Sequence, residues 1–409
     1  MSTLRRGTNL PRMGDFNRSV ILEAIRRAPE GSSRTELVDT TGLSAQTVTN
    51  ITRFLLEEGL IEEAGRQISG PGKPRVTLRL IAESRTAVGV HLDPTMITTV
   101  LLDLAGAVVA HRTRRTPSGD PHSAVEAMAE EVAALLAGTN RGAVAGVGVA
   151  APGPLDADRG TVIDPPKLHE WHRVPLRDEL AARTGLPVVL EKDTAAAAAG
   201  ELWNGAHAAD ASFLFVYLGT GIGCGLVRDG EVVGGSSHNV GEVGHIIVDA
   251  AGPVCACGQR GCVDVVCTPE AIVQRAERAG LFADQPAAHG EGSVDERLTL
   301  LCERAASGDA EAEGILARAA RDLAVMIAAV MNMMDAGGVV LGGPFWSRLA
   351  PVYLREMPRA VHAHSATRAV REIPLISTVL GDDVGAVGAA CLVLDRALTP
   401  RTSALLLGS

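Results

Sequence analysis

Gly241-Glu242-Val243-Gly244-His245, followed by Cys255-Ala256-Cys257-Gly258-Gln259-Arg260-Gly261-Cys262, is the most specific stretch of this 409-residue sequence. Three thiols and one imidazole at loop spacing match a closed tetrahedral zinc site, in which four protein ligands leave no open position for a catalytic water. A structural Zn2+ held by His245, Cys255, Cys257 and Cys262 is therefore expected. Buried cysteines are also common as small hydrophobes, but three of the chain's seven fall in this one glycine-rich loop, which favours metal over a disulfide framework. Cys267, a little further on, is expected to pack in a helix, because four ligands are already supplied.

On the N-terminal side of this loop a pattern occurs twice. Residues 87–110 and 213–234 each read as an apolar strand, a tight turn, a second apolar strand, a polar turn and a third strand, the polar turns being Asp103-Leu104-Ala105-Gly106 and Arg228-Asp229-Gly230-Glu231. Strand hairpins followed by alternating helices and strands, repeated, predict a duplicated mixed-sheet α/β fold with a cleft between two lobes, where ligands usually lie. Leu218-Gly219-Thr220-Gly221-Ile222-Gly223-Cys224-Gly225 opens the second lobe. Its glycines would let backbone amides approach an anion, or serve a tight hairpin. Val339-Val340-Leu341-Gly342-Gly343-Pro344 reads as a buried strand ending in a turn, either a resting place for a nucleotide base or a simple reversal.

The first 80 residues have a different grammar. Val20, Ile21, Ala24 and Ile25 give residues 17–27 one apolar stripe. Ser33-Arg34-Thr35-Glu36 forms a capping box for a second helix to about Thr40, and Gly42 closes a short turn. Ser44 caps a third helix with Val48, Ile51 and Leu55 inward, ending before Gly59. Its outward residues Gln46, Thr47, Thr49, Asn50 and Arg53 suit base edges or phosphates in a major groove. Residues 60–64 and 76–80 read as a hairpin around a basic Gly/Pro loop with Lys73 and Arg75, a wing suited to phosphate or minor-groove contact. Any three-helix bundle exposes polar residues, but the box, the turn and the wing in this order point to a winged helix on double-stranded DNA.

Charge agrees with this division. Residues 1–80 carry 12 Lys+Arg against 9 Asp+Glu, a net +3, which leaves −13 on the remainder of a chain of formal charge −10. No apolar run is long enough to span a membrane and no signal core opens the chain, so a cytoplasmic location is expected. We divide the chain into a head at 1–80, a first α/β lobe at 85–205 completed by a C-terminal helix at 384–398, and a second lobe at 206–383 carrying the metal loop.

The Gly241–His245 and Cys255–Cys262 segments resemble the zinc signature of the ROK family of bacterial repressors, uncharacterised reading frames and sugar kinases, and the resemblance covers essentially the whole chain. It implies a winged helix-turn-helix (α+β) followed by a duplicated actin-like, ribonuclease-H-like sugar-kinase fold with an inserted zinc loop. It further implies that Glu242 and His245 hold sugar hydroxyls, that Asp193 stands at the kinases' general-base position, and that Asp264 replaces a longer sugar-contacting glutamate.

Several residues depart from the kinases. Their Asp-x-Gly-x-Thr phosphate turn falls on His91-Leu92-Asp93-Pro94-Thr95, where an acid is lost, a carboxylate is added and an amide is removed. Phosphoryl transfer depends on that turn, so no catalytic residue is expected, and Asp193 is expected to accept a hydrogen bond from the ligand. Two of the chain's three lysines, Lys167 and Lys192, stand where the family's asparagines touch sugar. They suggest an anionic effector such as a sugar phosphate or sugar acid; alternatively they pair internally with Asp193, Glu191 or Glu242. The sequence thus reads as a homo-oligomeric, dimeric or tetrameric, sugar-responsive repressor released by a sugar or anionic sugar derivative. Two rivals are an ATP-dependent sugar kinase carrying a DNA-binding head and a sugar-independent DNA-binding scaffold.

Overall fold

In the computed structural model the described residues are 10–67, 75–168, 170–204, 212–283 and 291–398. The head consists of α1 (Leu10–Arg26), β1 (Ser32–Ser33), α2 (Arg34–Thr41), α3 (Ala45–Glu57), β2 (Ile61–Gln67) and β3 (Arg75–Leu80). The capping box forms as its residues dictate: Ser33 Oγ accepts from the Glu36 amide, and the Glu36 carboxylate accepts from the Ser33 amide at 2.7 Å. Gly42 ends α2 in the left-handed region, and Ser44 caps α3. The first helix begins at Leu10, earlier than its apolar stripe suggests, and both hairpin strands extend further toward the loop than residues 60–64 and 76–80. A two-residue strand, β1, completes the sheet in the order β1-β3-β2; two residues have no periodicity to read.

The body repeats one topology. The first lobe contains β4 (Thr86–Leu92), β5 (Met96–Asp103), β6 (Val108–Arg115), α4 (Pro121–Leu135), β7 (Val144–Ala151), a small hairpin of β8 (Leu155–Asp156) and β9 (Thr161–Val162), α5 (Leu176–Thr184), β10 (Val188–Lys192) and α6 (Asp193–Asn204). The second contains β11 (Phe213–Leu218), β12 (Ile222–Arg228), β13 (Glu231–Val232), α7 (Val263–Val266), α8 (Pro269–Arg278), α9 (Glu291–Ala306), α10 (Ala310–Met334), β14 (Gly338–Gly342), α11 (Trp346–His364) and β15 (Leu375–Ser377), and α12 (Val384–Leu398) ends the described chain. The sheets run β10-β7-β4-β5-β6 and β13-β12-β11-β14-β15. In each, an antiparallel three-strand meander continues into two parallel strands.

The last helices of the two halves are exchanged. Helix α12 lies on β4 and β7 of the first sheet, while α6 lies on β11 and β12 of the second. They cross where side chains would not fit: a Cβ on Gly388 would stand 1.9 Å from the Ala196 carbonyl oxygen. Any relative movement of the lobes must therefore be accommodated at this tight helix crossing.

The head is continuous with this frame. Ile21, Ile25, Leu37, Val48, Leu55 and Leu78 belong to the same buried cluster as Leu102, Leu104, Ala390 and Leu394. The Arg26 guanidinium stacks 4.2 Å over the Trp203 ring of α6. A cavity of about 450 Å3 opens where α1 meets α6, α12 and the β12–β13 turn, lined by Arg26, Trp203, Glu231, His238 and Leu392 among others. Elements of the head and of both lobes meet there.

Candidate functional site

On the head, α3 presents Gln46, Asn50 and Arg53 to solvent, with Thr47 and Thr49 half-buried beside them. Gln46 Nε2 donates to Asn50 Oδ1 at 3.1 Å, which holds two amide side chains side by side on the outer face. Thr49 Oγ1 donates back to the Ala45 carbonyl, and Thr47 Oγ1 lies 2.9 Å from Ser44 Oγ. Arg75 begins β3. Lys73 lies outside the described residues.

In the second lobe the four proposed metal ligands converge: one ligand atom from each of His245, Cys255, Cys257 and Cys262 lies within 4.8 Å of the others. Zinc at about 2.3 Å from sulfur and about 2.0 Å from nitrogen requires tetrahedral edges of about 3.8 Å between sulfurs and about 3.5 Å between sulfur and nitrogen. Cys257 and Cys262 Sγ are 3.7 Å apart, and Cys255 Sγ is 3.6 Å from His245 Nδ1, so the donor set fits the ion. The loop is folded tightly enough to hold that spacing: the Cys255 amide donates to Gln259 O at 2.8 Å, and Gly261, at φ 68°, passes so close to Asp249 that a Cβ would lie 1.6 Å from its carbonyl oxygen. The Gln259 amide draws the Cys257 thiol below its usual range, toward the thiolate a metal binds. Cys267 is buried beyond the cluster at the end of α7.

The metal loop is stitched to the segment that carries Glu242 and His245. The amides of Val263 and Asp264 donate to Ile246 and Gly244 carbonyls, both at 3.0 Å. His245 Nδ1 faces Cys255, and Asp264 Oδ2 lies 3.9 Å from the same nitrogen. A Cβ on Gly244 would come within 2.5 Å of Asp264 Oδ1, so the short carboxylate lies folded over this glycine. Burial raises the Asp264 carboxyl above its ordinary range; His245 and Lys167 oppose that shift, and Glu242 adds to it.

Across the cleft, β10 ends at Lys192 and α6 begins at Asp193. Burial raises the Asp193 carboxyl, with His91 and Lys192 pulling it down, the Thr194 amide donating to Oδ1 at 2.7 Å, and Glu242 pushing it up. Lys192 is 4% exposed, yet its ammonium is satisfied from the opposite lobe: Nζ stands 2.6 Å from Glu242 Oε1 and donates to Val240 O at 3.2 Å. Lys167 bonds Glu270 Oε2 at 2.8 Å. Both lysines thus carry a carboxylate partner, and Glu270, 103 residues from Lys167, was not among the partners expected from the sequence. Asn239, also absent from those expectations, donates to Leu155 O at 2.8 Å and accepts from the Leu155 amide at 2.7 Å, bridging the lobes like a strand pair.

The His91–Thr95 turn also reaches across to the second lobe. His91 Nε2 lies 3.0 Å from the Tyr217 hydroxyl of β11. Asp93 Oδ1 accepts from the Thr95 amide at 2.9 Å and the Thr95 hydroxyl at 2.6 Å, and Oδ2 accepts from the Thr220 hydroxyl at 3.3 Å. Tyr217 and Thr220 stand in the segment read as a hairpin opening, where no pattern announced a partner 126 or 127 residues away.

Residues 87–396 match the ROK family, and residues 18–62 match a winged helix-turn-helix DNA-binding family. The xylose repressor of Bacillus subtilis is 24% identical over 387 residues, an alignment covering 93% of this chain and 96% of the repressor. A glucokinase of Thermotoga maritima is 31% identical over 313 residues, covering 76% of this chain and 97% of the kinase. Among solved structures, a ROK family transcriptional regulator described as a homologue of the Escherichia coli MLC protein aligns with a TM-score of 0.75 at 24% identity, covering 95% of this chain and 98% of that one. That likeness extends the shared fold through the head.

Proposed function

The chain belongs to the ROK family, and we propose that it is a sugar-responsive transcriptional regulator, a repressor that leaves its DNA operator when a neutral sugar fills the cleft. The observation that carries this reading is the single buried cluster running from Ile21 and Val48 of the head to Leu102 and Ala390 of the body. A DNA-binding head that shares its core with one lobe of a ligand cleft cannot ignore a change in that lobe's environment. Likeness to a repressor along 93% of the chain supports it.

Asp193, Lys192, Glu242, His245 and Asp264 would bind the sugar. Asp193 and Glu242 accept from hydroxyls, and Lys192 holds Glu242 in place. His245, whose Nδ1 faces Cys255, would hold the metal through that nitrogen, which would leave Nε2 for the sugar. Lys167 and Lys192 each have a carboxylate partner, so neither waits uncompensated for a phosphate or carboxylate, which supports a neutral sugar over an anionic one. A ligand that binds one lobe angle better than another shifts the equilibrium between them. The shift reaches the DNA through the junction where α1, α6, α12 and the β12–β13 turn surround one cavity. Two heads in a homo-oligomer, each reading a half-site with Gln46, Asn50 and Arg53, would then lose their spacing. We assign residues 1–80 to DNA, 85–205 with 384–398 to the first sugar-binding lobe and 206–383 to the second. Among the described residues no helix is long and apolar enough to cross a membrane; a cytoplasmic location belongs to the proposal, because the proposed action is on DNA.

A second reading, ATP-dependent sugar phosphorylation, is favoured by Asp193 at the start of α6 and by the likeness to a glucokinase. His91 and Pro94 in the phosphate turn oppose it. A thermal-shift panel of neutral sugars, sugar 6-phosphates and uronic acids, run beside an ATP-turnover assay, separates the readings. Stabilisation by a neutral sugar without turnover is expected. Stabilisation by anionic sugars alone would overturn the effector class, and turnover abolished in Asp193→Asn would overturn the non-catalytic reading.

A further inference from the structure

Asp93 is 8% exposed, and three donors from two lobes converge on its carboxylate. The Thr95 amide and hydroxyl come from the same β4–β5 turn, and the Thr220 hydroxyl comes from the β11–β12 turn of the second lobe, between Gly219 and Gly221. The main chain of Asp93 is pinned as well: Thr116 Oγ1 donates to its carbonyl at 2.7 Å, and its amide donates to Met96 O at 3.0 Å. The donors are one amide and two hydroxyls, groups that can cradle a phosphate oxygen, and the Thr220 hydroxyl among them sits between two glycines. Two residues before Asp93, the His91–Tyr217 bond ties the same two strands' lobes.

We propose that Asp93 is a tethered anion: its carboxylate fills, from within the chain, a seat fit for a phosphate oxygen, and by doing so clasps the first-lobe turn to the second-lobe turn. A free phosphate bridging the two turns would draw the lobes together only while bound. The carboxylate does so permanently, at an effective concentration no free anion matches. The substitution of this residue would therefore have two consequences at once: the clasp opens, and the vacated seat accepts an anion from solution. Packing alone would produce the first consequence and never the second. Nothing in the clasp depends on the identity of the sugar or on DNA, so its failure leaves the proposed function standing, and the reverse holds as well.

The test titrates inorganic pyrophosphate calorimetrically into the full-length wild type, Asp93→Ala and Asp93→Asn, with small-angle scattering before and after addition. Asp93→Ala should bind pyrophosphate at least about tenfold more tightly than wild type, should show a larger radius of gyration without it, and should contract when it is added. Asp93→Asn, whose amide oxygen can still accept from Thr95 and whose NH2 can donate to the Thr220 hydroxyl, should keep the wild-type dimensions and gain little affinity. An Asp93→Ala protein with native circular dichroism that binds pyrophosphate no better than wild type overturns the anion seat. Tighter binding with unchanged dimensions overturns the clasp. Should Asp93→Ala fail to fold, Thr220→Val cuts only the inter-lobe bond: expansion supports the clasp and an unchanged radius refutes it.

Discussion

Replacing Glu242 by glutamine leaves the Lys192 ammonium, 4% exposed, without its carboxylate ion-pair partner, held by the Val240 carbonyl and near the Asp193 carboxyl. Breaking a fully buried ion pair by removing one partner costs about 3–5 kcal/mol. Here the Glu242 side chain is 62% exposed, so solvent already screens part of the attraction and the cost falls to about 1–3 kcal/mol. At roughly 2–4 °C per kcal/mol for a domain of this size, Glu242→Gln should melt roughly 2–12 °C below wild type. The reverse change is milder. Lys192→Met removes the buried charge, fills its volume with an apolar chain and returns Glu242 to water, so its cost should stay below about 1 kcal/mol. The double variant should recover most of what Glu242→Gln loses, a coupling of about 1–3 kcal/mol by double-mutant cycle. Urea unfolding of the four proteins measures all three quantities. Equal and additive losses would refute the reasoning, because they would mean that Lys192 has water or another partner in place of Glu242.

Glu201 is fully buried on α6, accepts from the Thr378 hydroxyl and the Val379 amide, and is raised above the usual carboxylate range by burial. Its folded form therefore favours the proton: the stability it contributes is full below the ordinary carboxylate range and is lost as pH rises through the folded value. Glu201→Gln should accordingly gain on wild type as urea midpoints are followed from pH 5 to 8, with Asp193 and Asp264 keeping some slope of the same sign in both proteins. Cys257→Ser should lower bound zinc from about one per chain to none and loosen the second lobe, read by elemental analysis and by protease resistance of the region after Gly241. Gly388→Ala places a methyl against the Ala196 carbonyl and should cost about 1–3 kcal/mol or more in chemical unfolding; a neutral outcome would mean that the helix crossing is loose. Asn50→Ala should weaken operator binding by about 1–3 kcal/mol and relax base preference at one position, seen by competition with single-base variants.

What the sequence revealed, and what it hid, follows from the range of the interactions. The capping box at Ser33 and Glu36, the Gly42 turn and the cysteine loop are local, so spacing alone exposed them. The meanders were legible because three strands separated by short turns leave a period in the sequence. The sequence already assigned the helix at 384–398 to the first lobe, but the placement of α6 on the second sheet left only Gly388 and its neighbours as a trace, since close approach selects small residues without saying what approaches. The sequence singled out Lys167 and Lys192 and offered Glu242 among several internal partners, but it missed Glu270, because that residue lies on a distant segment. The departures of His91, Asp93 and Pro94 from the kinase pattern could be read from the sequence, whereas the destination of the Asp93 carboxylate depended on Thr220 in the other lobe.

The central claim is that sugar in the cleft governs the head's hold on DNA. Its most direct test selects sequences from a random duplex library with the full-length protein, then follows release of the preferred duplex by fluorescence anisotropy during titration with neutral sugars. The account predicts a two-fold symmetric site, bound specifically and released by at least one neutral sugar, with release lost in Asp193→Ala while DNA binding is retained. Failure to select any sequence, or a site whose affinity no sugar alters, would contradict it.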